Sequence, residues 1–221
     1  MHKVRIWDLP TRLFHWALAL CVLALVVTGQ IGGQAMVWHF RFGQAVLSLL
    51  VFRLLWGLVG GRWSRWTRLS LGPRAVGAYL RQSHDPRWHA GHNPLGSWAV
   101  VVMLLCLLVQ ATTGLFSDDE IAFAGPLVSL VSGAAVSAAT AWHKGWGKIL
   151  LIVLVLSHLL ALLVHRWRRH PPLVPAMVHG DKVLPETVPA SDDRLQDRLL
   201  ALGLLMVSAG TVQWALAWGK P

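Results

Sequence analysis

The stretch TRLFHWALALCVLALVVTGQI, residues 11–31, decides the fold. After Arg12 it carries no charge, and a hydrocarbon core of about 30 Å needs about 20 such residues in a helix. Its mouth nevertheless holds a histidine, His15, between Phe14 and Trp16. The same pattern recurs outward along the chain. Residues 13–31, 42–61, 95–116, 149–167 and 199–218 are each long and apolar enough to span a bilayer, and of 221 residues 55% are hydrophobic and only 14% charged. This composition excludes a soluble domain and predicts an all-α membrane protein with five spans.

Residues 121–142 are uncharged too, but they are rich in Gly, Ala and Ser and contain Pro126. They read as a surface-lying or re-entrant connection, with a sixth span as the alternative. The first span follows Lys3 and Arg5 as a signal peptide would, yet it is long and has no convincing small-residue cleavage site, so it is expected to be retained. Cys21 and Cys106 fall inside apolar runs with no CxxC or CxxCH spacing, so they read as small core residues and covalent c-type haem is not indicated.

The net charge of +10 is sorted by topology. Lys3, Arg5 and Arg12, the loop residues Arg62, Arg65, Arg68, Arg74, Arg81 and Arg87, and Arg166, Arg168, Arg169, Lys182, Arg194 and Arg198 all fall on one side of the spans. Arg41, Lys144, Lys148, Lys220 and the acidic cluster Asp118, Asp119 and Glu120 fall on the other. The positive-inside rule then predicts a cytoplasmic N-terminus and an acidic outer loop. The basicity reads as topology and contact with membrane lipid, with no nucleic-acid partner.

The eleven histidines separate against this topology. His2, His84, His89, His170 and His179 lie in loops or tails. His15 lies at the inner end of the first span, His39 at the outer start of the second, His143 at the outer start of the fourth and His158 within the fourth. On one helix, fifteen residues carry His158 about 22 Å from His143 and leave the two side chains within about 60° of each other. The four therefore form two layers, His39 with His143 and His15 with His158. Paired neutral imidazoles at axial positions hold haem iron, so the pattern predicts two noncovalent, bis-histidine b-type haems in one bundle. No HxxxH or HxxH triad converges on zinc, and the spans hold no Asp or Glu for a proton relay.

Arg53, in VFRLLWG, is the one charge inside a span and is expected to have a partner there. A haem propionate is the candidate, with snorkelling to the interface as the alternative. Arg12 is a second propionate candidate. His92, in GHNPLG, gains no role from spacing, because Asn93 and Pro94 suffice to start a helix there. Most of the thirteen tryptophans, among them Trp7, Trp16, Trp38, Trp63, Trp66, Trp98, Trp142, Trp146, Trp167 and Trp218, read as an interfacial belt.

The blocks VRIWDLPTRLFHWALA, WHFRFGQAVLSLLVFRLLWGLVG, GHNPLGSWAVVVMLL, TTGLFSDD and LVPAMVHGDK run in order over residues 4–182. Together they resemble the bacterial cytochrome b561 and nickel-iron hydrogenase cytochrome b subunit family. The resemblance implies a four-helix transmembrane bundle holding two haems over residues 1–182, and the same four histidine ligands. Residues 183–221 read as a C-terminal extension carrying the fifth transmembrane helix. In the family the second histidine of the fourth helix falls fourteen residues after the first, which here is Ser157, so one inserted residue leaves His158 the ligand and His165 its competitor.

An iron with two protein ligands has no open position for substrate, which predicts electron transfer. The expected function is that of a respiratory cytochrome of the bacterial inner membrane. It would pass electrons between the quinone pool and a periplasmic redox protein, a c-type cytochrome or a hydrogenase-like partner, with quinone as a possible second bound group. The alternative is a haem-free membrane scaffold or transporter, but transport predicts polar, broken helices at the midplane and these spans are nearly uniformly apolar. A reporter fused after Pro221 is expected to read as external; cytoplasmic reporter activity would remove the fifth span or make the number of spans even.

Overall fold

Asp8 starts the first long helix: its Oδ1 accepts the Thr11 amide at 2.7 Å, a first-turn donor that otherwise has no partner. In the computed structural model, residues 1–81, 85–167 and 173–219 are described. His84, Arg168, Arg169, His170 and Lys220, and the side chain of Arg87, lie outside them. In chain order the elements are β1 (His2–Arg5), α1 (Leu9–Ile31), α2 (Met36–Val59), α3 (Pro73–Leu80), α4 (Pro86–Ala90), α5 (Pro94–Leu115), α6 (Gly133–Lys144), α7 (Trp146–Trp167), α8 (Leu173–His179), β2 (Asp181–Leu184) and α9 (Leu195–Ala217).

Among the described residues five helices are long and apolar enough to cross a membrane, the fourth written as Gly133–Trp167 when α6 and α7 are taken together. The protein is an all-α, multi-pass membrane protein, as expected. Apolar side chains such as Leu20 and Leu163, 66% and 67% exposed, suit a lipid surround. Gly32 and Gly33, with φ of +66° and +54°, turn the chain from α1 into α2 where a side chain would be strained.

Two features differ from the sequence reading. The chain breaks between α6 and α7 at Gly145, whose N–H closes α6 on the Ala141 carbonyl at 3.0 Å. The twelve residues of α6 reach about 18 Å, too short to cross. His143 stands in the last turn of α6 and His158 in α7, so the rise computed along one uninterrupted helix does not apply. The second is a two-stranded antiparallel sheet, with Arg5 opposite Asp181 and Val4 opposite Lys182. Gly180, at φ +92°, makes the turn into β2, and its carbonyl accepts the Ile6 and Trp7 amides at 2.8 and 3.0 Å.

The chain forms two compact units, and each of the five long helices contributes residues to both. One unit comprises Met1–His15, Arg53–Val102 and Leu156–Gly203. Its core is Ile6, Trp7, Trp63, Ala90, Ala176 and Leu184. Trp7 and Trp63 therefore belong to a packed core and not to an interfacial belt; the Trp63 Nε1 donates to the Pro189 carbonyl at 2.9 Å. Ser191 ties the segment before α9 to β1 and its neighbour, its N–H to the Arg5 carbonyl at 2.8 Å and its Oγ to the Ile6 carbonyl at 2.7 Å.

Beside this core lies a fully buried polar knot. Ser64 Oγ donates to Asp8 Oδ2 at 2.7 Å, so the hydroxyl proton between Thr11 and Ser64, 2.6 Å apart, comes from Thr11. Trp56 Nε1 donates to Asp8 Oδ1 and to Thr11 Oγ1, both at 3.2 Å. A Cβ on Gly61 would fall 2.2 Å from Asp8 Oδ2, so that position admits glycine alone.

The other unit comprises Trp16–Phe52, Met103–Val155 and Leu204–Pro221. Val46, Leu50, Cys106, Leu107 and Leu151 form one cluster, with Cys21 packed against it, and both cysteines are free. Leu47, Leu127, Val212 and Leu216 form a second, which seats α9 together with a hydrogen bond from Gln213 Nε2 to Gln44 Oε1 at 3.1 Å. Asp8→Ala removes a buried acceptor shared by three donors, of which only Trp56 Nε1 has another acceptor, and is expected to destabilise the protein by about 3–5 kcal/mol, read as detergent-state thermal unfolding. Asp192→Ala, at an ion pair more than 60% exposed on both sides, should change it by less than about 0.5 kcal/mol.

Candidate functional site

His39 sits in the first turn of α2 and its Nδ1 lies 3.1 Å from the Leu25 carbonyl of α1. His143 Nδ1 lies 2.8 Å from the Gln110 carbonyl of α5, and Gln110 Nε2 returns a hydrogen bond to the His143 carbonyl at 2.8 Å. A carbonyl oxygen only accepts, so in both rings Nδ1 carries the proton. Each Nε2 is then left with its lone pair, the state in which imidazole binds a metal. The two ring centroids are 6.1 Å apart with their planes at 87°.

Glycine makes room for both rings. A Cβ on Gly29 of α1 would meet His39 Cε1 at 3.2 Å, and one on Gly114 of α5 would meet His143 Cε1 at 2.8 Å. The imidazoles thus press against helix backbone where any larger residue would push them away.

In the other unit His15 of α1 and His158 of α7 lie within electrostatic reach of each other. Arg53 stands at the start of this unit's part of α2, 5% exposed, with its guanidinium carbon 4.3 Å over the Trp66 ring. It does not snorkel. Its Nη1 is buried with no hydrogen-bond partner among the described residues. Arg12 is more fully used, donating from Nη1 to the Val178 carbonyl at 2.6 Å with Nη2 3.9 Å from Asp193.

Sequence spacing gave His92 no role, and the structure brings it to this region. Asn93 and Pro94 do start α5, the Gly96 amide donating to Asn93 Oδ1 at 2.7 Å and Asn93 Nδ2 to the Tyr79 hydroxyl at 3.0 Å. His92 itself packs on Trp7, ring centroids 4.9 Å apart, and is within electrostatic reach of Lys182, Arg53, His15 and His158. Burial, reinforced by the Lys182 and Arg53 charges, pushes its imidazole down to about 3. The Lys182 Nζ donates to the His89 and Ala90 carbonyls at 3.2 and 2.7 Å, and burial brings its ammonium down to about 8.

The acidic loop is partly self-engaged. Asp119 Oδ1 accepts the amides of Ile121, Ala122 and Phe123 at 3.0, 2.9 and 2.9 Å, which holds its carboxyl at about 2, and Asp118 Oδ1 accepts the Glu120 amide at 2.7 Å.

The family profile of prokaryotic cytochrome b561 matches residues 6–180. This chain belongs to that family. It is therefore a multi-pass membrane cytochrome of the b type, carrying b-type haem and working in membrane electron transfer. It is 25% identical over 222 residues to a probable Ni/Fe-hydrogenase B-type cytochrome subunit of Rhizobium leguminosarum bv. viciae, covering 82% of this chain and 89% of the relative. A probable Ni/Fe-hydrogenase 1 B-type cytochrome subunit of Escherichia coli K12 is 25% identical over 211 residues, 79% of this chain and 88% of its own. A third such subunit, from Azotobacter vinelandii, is 31% identical over 125 residues, 44% of this chain and 51% of its own. No solved structure matches significantly.

The His39 and His143 rings of this cytochrome suit a haem iron. With a metal–nitrogen bond of about 2 Å and about 1 Å from nitrogen to ring centre, two axial imidazoles have centroids about 6 Å apart. Gly114→Val is expected to lower haem per chain, measured as pyridine hemochrome. Gly43→Ala in α2, where a Cβ meets nothing within 4 Å, should leave haem unchanged.

Proposed function

We propose that this cytochrome holds two noncovalent b-type haems, one between His39 and His143 and one between His15 and His158. The observation that carries the reading is the pair of Nδ1 atoms held on backbone carbonyls with ring centroids 6.1 Å apart. For the second pair the support is the electrostatic proximity of His15 and His158, which favours His158 over His165 as ligand. Arg53, buried beside Trp66 with a free Nη1, would face a propionate of the second haem, and Arg12 would be the secondary candidate.

Bound haem supplies a one-electron change at iron. The protein's part would be to hold each haem through two imidazoles, His39 with His143 and His15 with His158, so that the group would exchange electrons and bind no substrate. The backbone carbonyls of Leu25 and Gln110 orient the rings and hold their protons at Nδ1. Apolar side chains keep water away and disfavour a change of net charge.

On this reading the protein passes electrons between the membrane quinone pool and a periplasmic redox partner, a hydrogenase-like enzyme or a c-type cytochrome. The names of its relatives favour the hydrogenase-like partner. The N-terminus is cytoplasmic by its arginine and lysine distribution and the membrane is the bacterial inner membrane. Residues 183–221 form an extension to the 1–182 diheme domain, consistent with a family match that stops at 180.

A dithionite-reduced minus oxidised spectrum with pyridine hemochrome is expected to give about two haems per chain. His143→Ala and His158→Ala should each remove one. A His158→Ala protein that keeps both would move the ligand to His165.

A further inference from the structure

Two nitrogens near the His15–His158 pair have nothing to bind, and a third, the Lys182 Nζ, has only carbonyls. Among the described residues, His92 Nδ1 and Arg53 Nη1 are buried without any hydrogen-bond partner. Lys182 is half-buried and donates only to carbonyls. Neither Arg53 nor Lys182 has a carboxylate within salt-bridge distance among the described residues. Asp8, the acid that Arg53 feels, already has both oxygens occupied by Thr11, Trp56 and Ser64.

Buried charge without a counterion is costly, and a buried ring nitrogen without a partner costs about 1–3 kcal/mol. Here two cations and one imidazole share a region, and neither cation has a carboxylate in salt-bridge contact among the described residues. A haem brings two carboxylates. His92 is neutral in this setting, and a neutral imidazole still offers one N–H, so it can donate to a carboxylate without adding charge.

Resting on the two-haem reading, we propose that His92 is a positioning residue: its Nδ1–H and the Arg53 Nη1 hold the propionate end of the haem bound at His15 and His158, with Lys182 supplying the second compensating charge. The stack of His92 on Trp7, and the start of α5 one residue later, fix the ring in place. This gives the GHNPLG stretch a task beyond beginning a helix.

The test is an optical redox titration of the purified, haem-loaded full chain, with His92→Leu and His92→Gln beside the wild type. Haem count and the carboxylate bands of the redox-difference infrared spectrum are read on the same samples. Both variants should keep both haems. In His92→Leu one midpoint, that of the haem lost in His15→Ala, should move to lower potential because its propionate loses a donor, and the infrared carboxylate band should shift with it. His92→Gln, which still carries an N–H donor, should restore most of both shifts.

An unchanged midpoint and band in His92→Leu overturn the proposal. So does loss of one haem in both variants, which would make His92 an iron ligand. Slower quinol-dependent reduction at unchanged potential also overturns it and reassigns the ring to a quinone oxygen. A wild type with one haem refutes the two-haem reading instead. If that haem is lost in His15→Ala the His92 shift is read on it, and if it is lost only in His143→Ala the proposal falls as well.

Discussion

A polar atom in hydrocarbon must find a partner inside the protein, because water is not there to supply one. The imidazoles of His39 and His143 meet that demand through main-chain oxygens of neighbouring helices. A helix carbonyl has a second lone pair, so it can take an additional N–H without giving up its own helical bond. The same contact does two things at once. It lowers the cost of placing an imidazole in an apolar span, and it decides which nitrogen keeps the proton.

Asp8 answers the same demand near the start of the chain. One carboxyl caps α1 and gathers the side chains of Trp56, Thr11 and Ser64, so α1, α2 and the segment after α2 are fixed to one another by a group that cannot be exchanged for an apolar one. His15 lies seven residues on, in the second turn of the helix that Asp8 begins.

The spans were legible because hydropathy summed over about 20 residues tolerates local noise. The observed α1, α5, α7 and α9 differ from the sequence bounds by at most four residues at either end, and α2 starts six residues earlier, at Met36. The association of His39 with His143, and of His15 with His158, was legible because histidine is rare in apolar runs and antiparallel helices bring like depths together. What stayed hidden depends on contacts distant in sequence. A strand of four residues carries no period, and β1 exists because β2 is there to pair with it. Trp7 and Trp63 look like belt residues by position, and only the packing of Ile6, Ala90 and Ala176 around them makes them core. The break at Gly145 hides in an apolar run that hydropathy reads as continuous. His92 was concealed by its neighbours, since Asn93 and Pro94 offered a sufficient reason for the motif.

The pairing of β1 with β2 also constrains how this chain is made. Arg5 meets Asp181 across 176 positions of sequence. At about 5–20 residues per second of synthesis, β1 waits about 10–35 s for its partner to leave the ribosome. During that interval α1, α2, α5 and α7 can enter the membrane while the Ile6 and Trp7 side chains still lack the Ala176 and Leu184 that later cover them. The core around Ile6 and Trp7 therefore closes late in synthesis, after most of the chain that spans the membrane has been made.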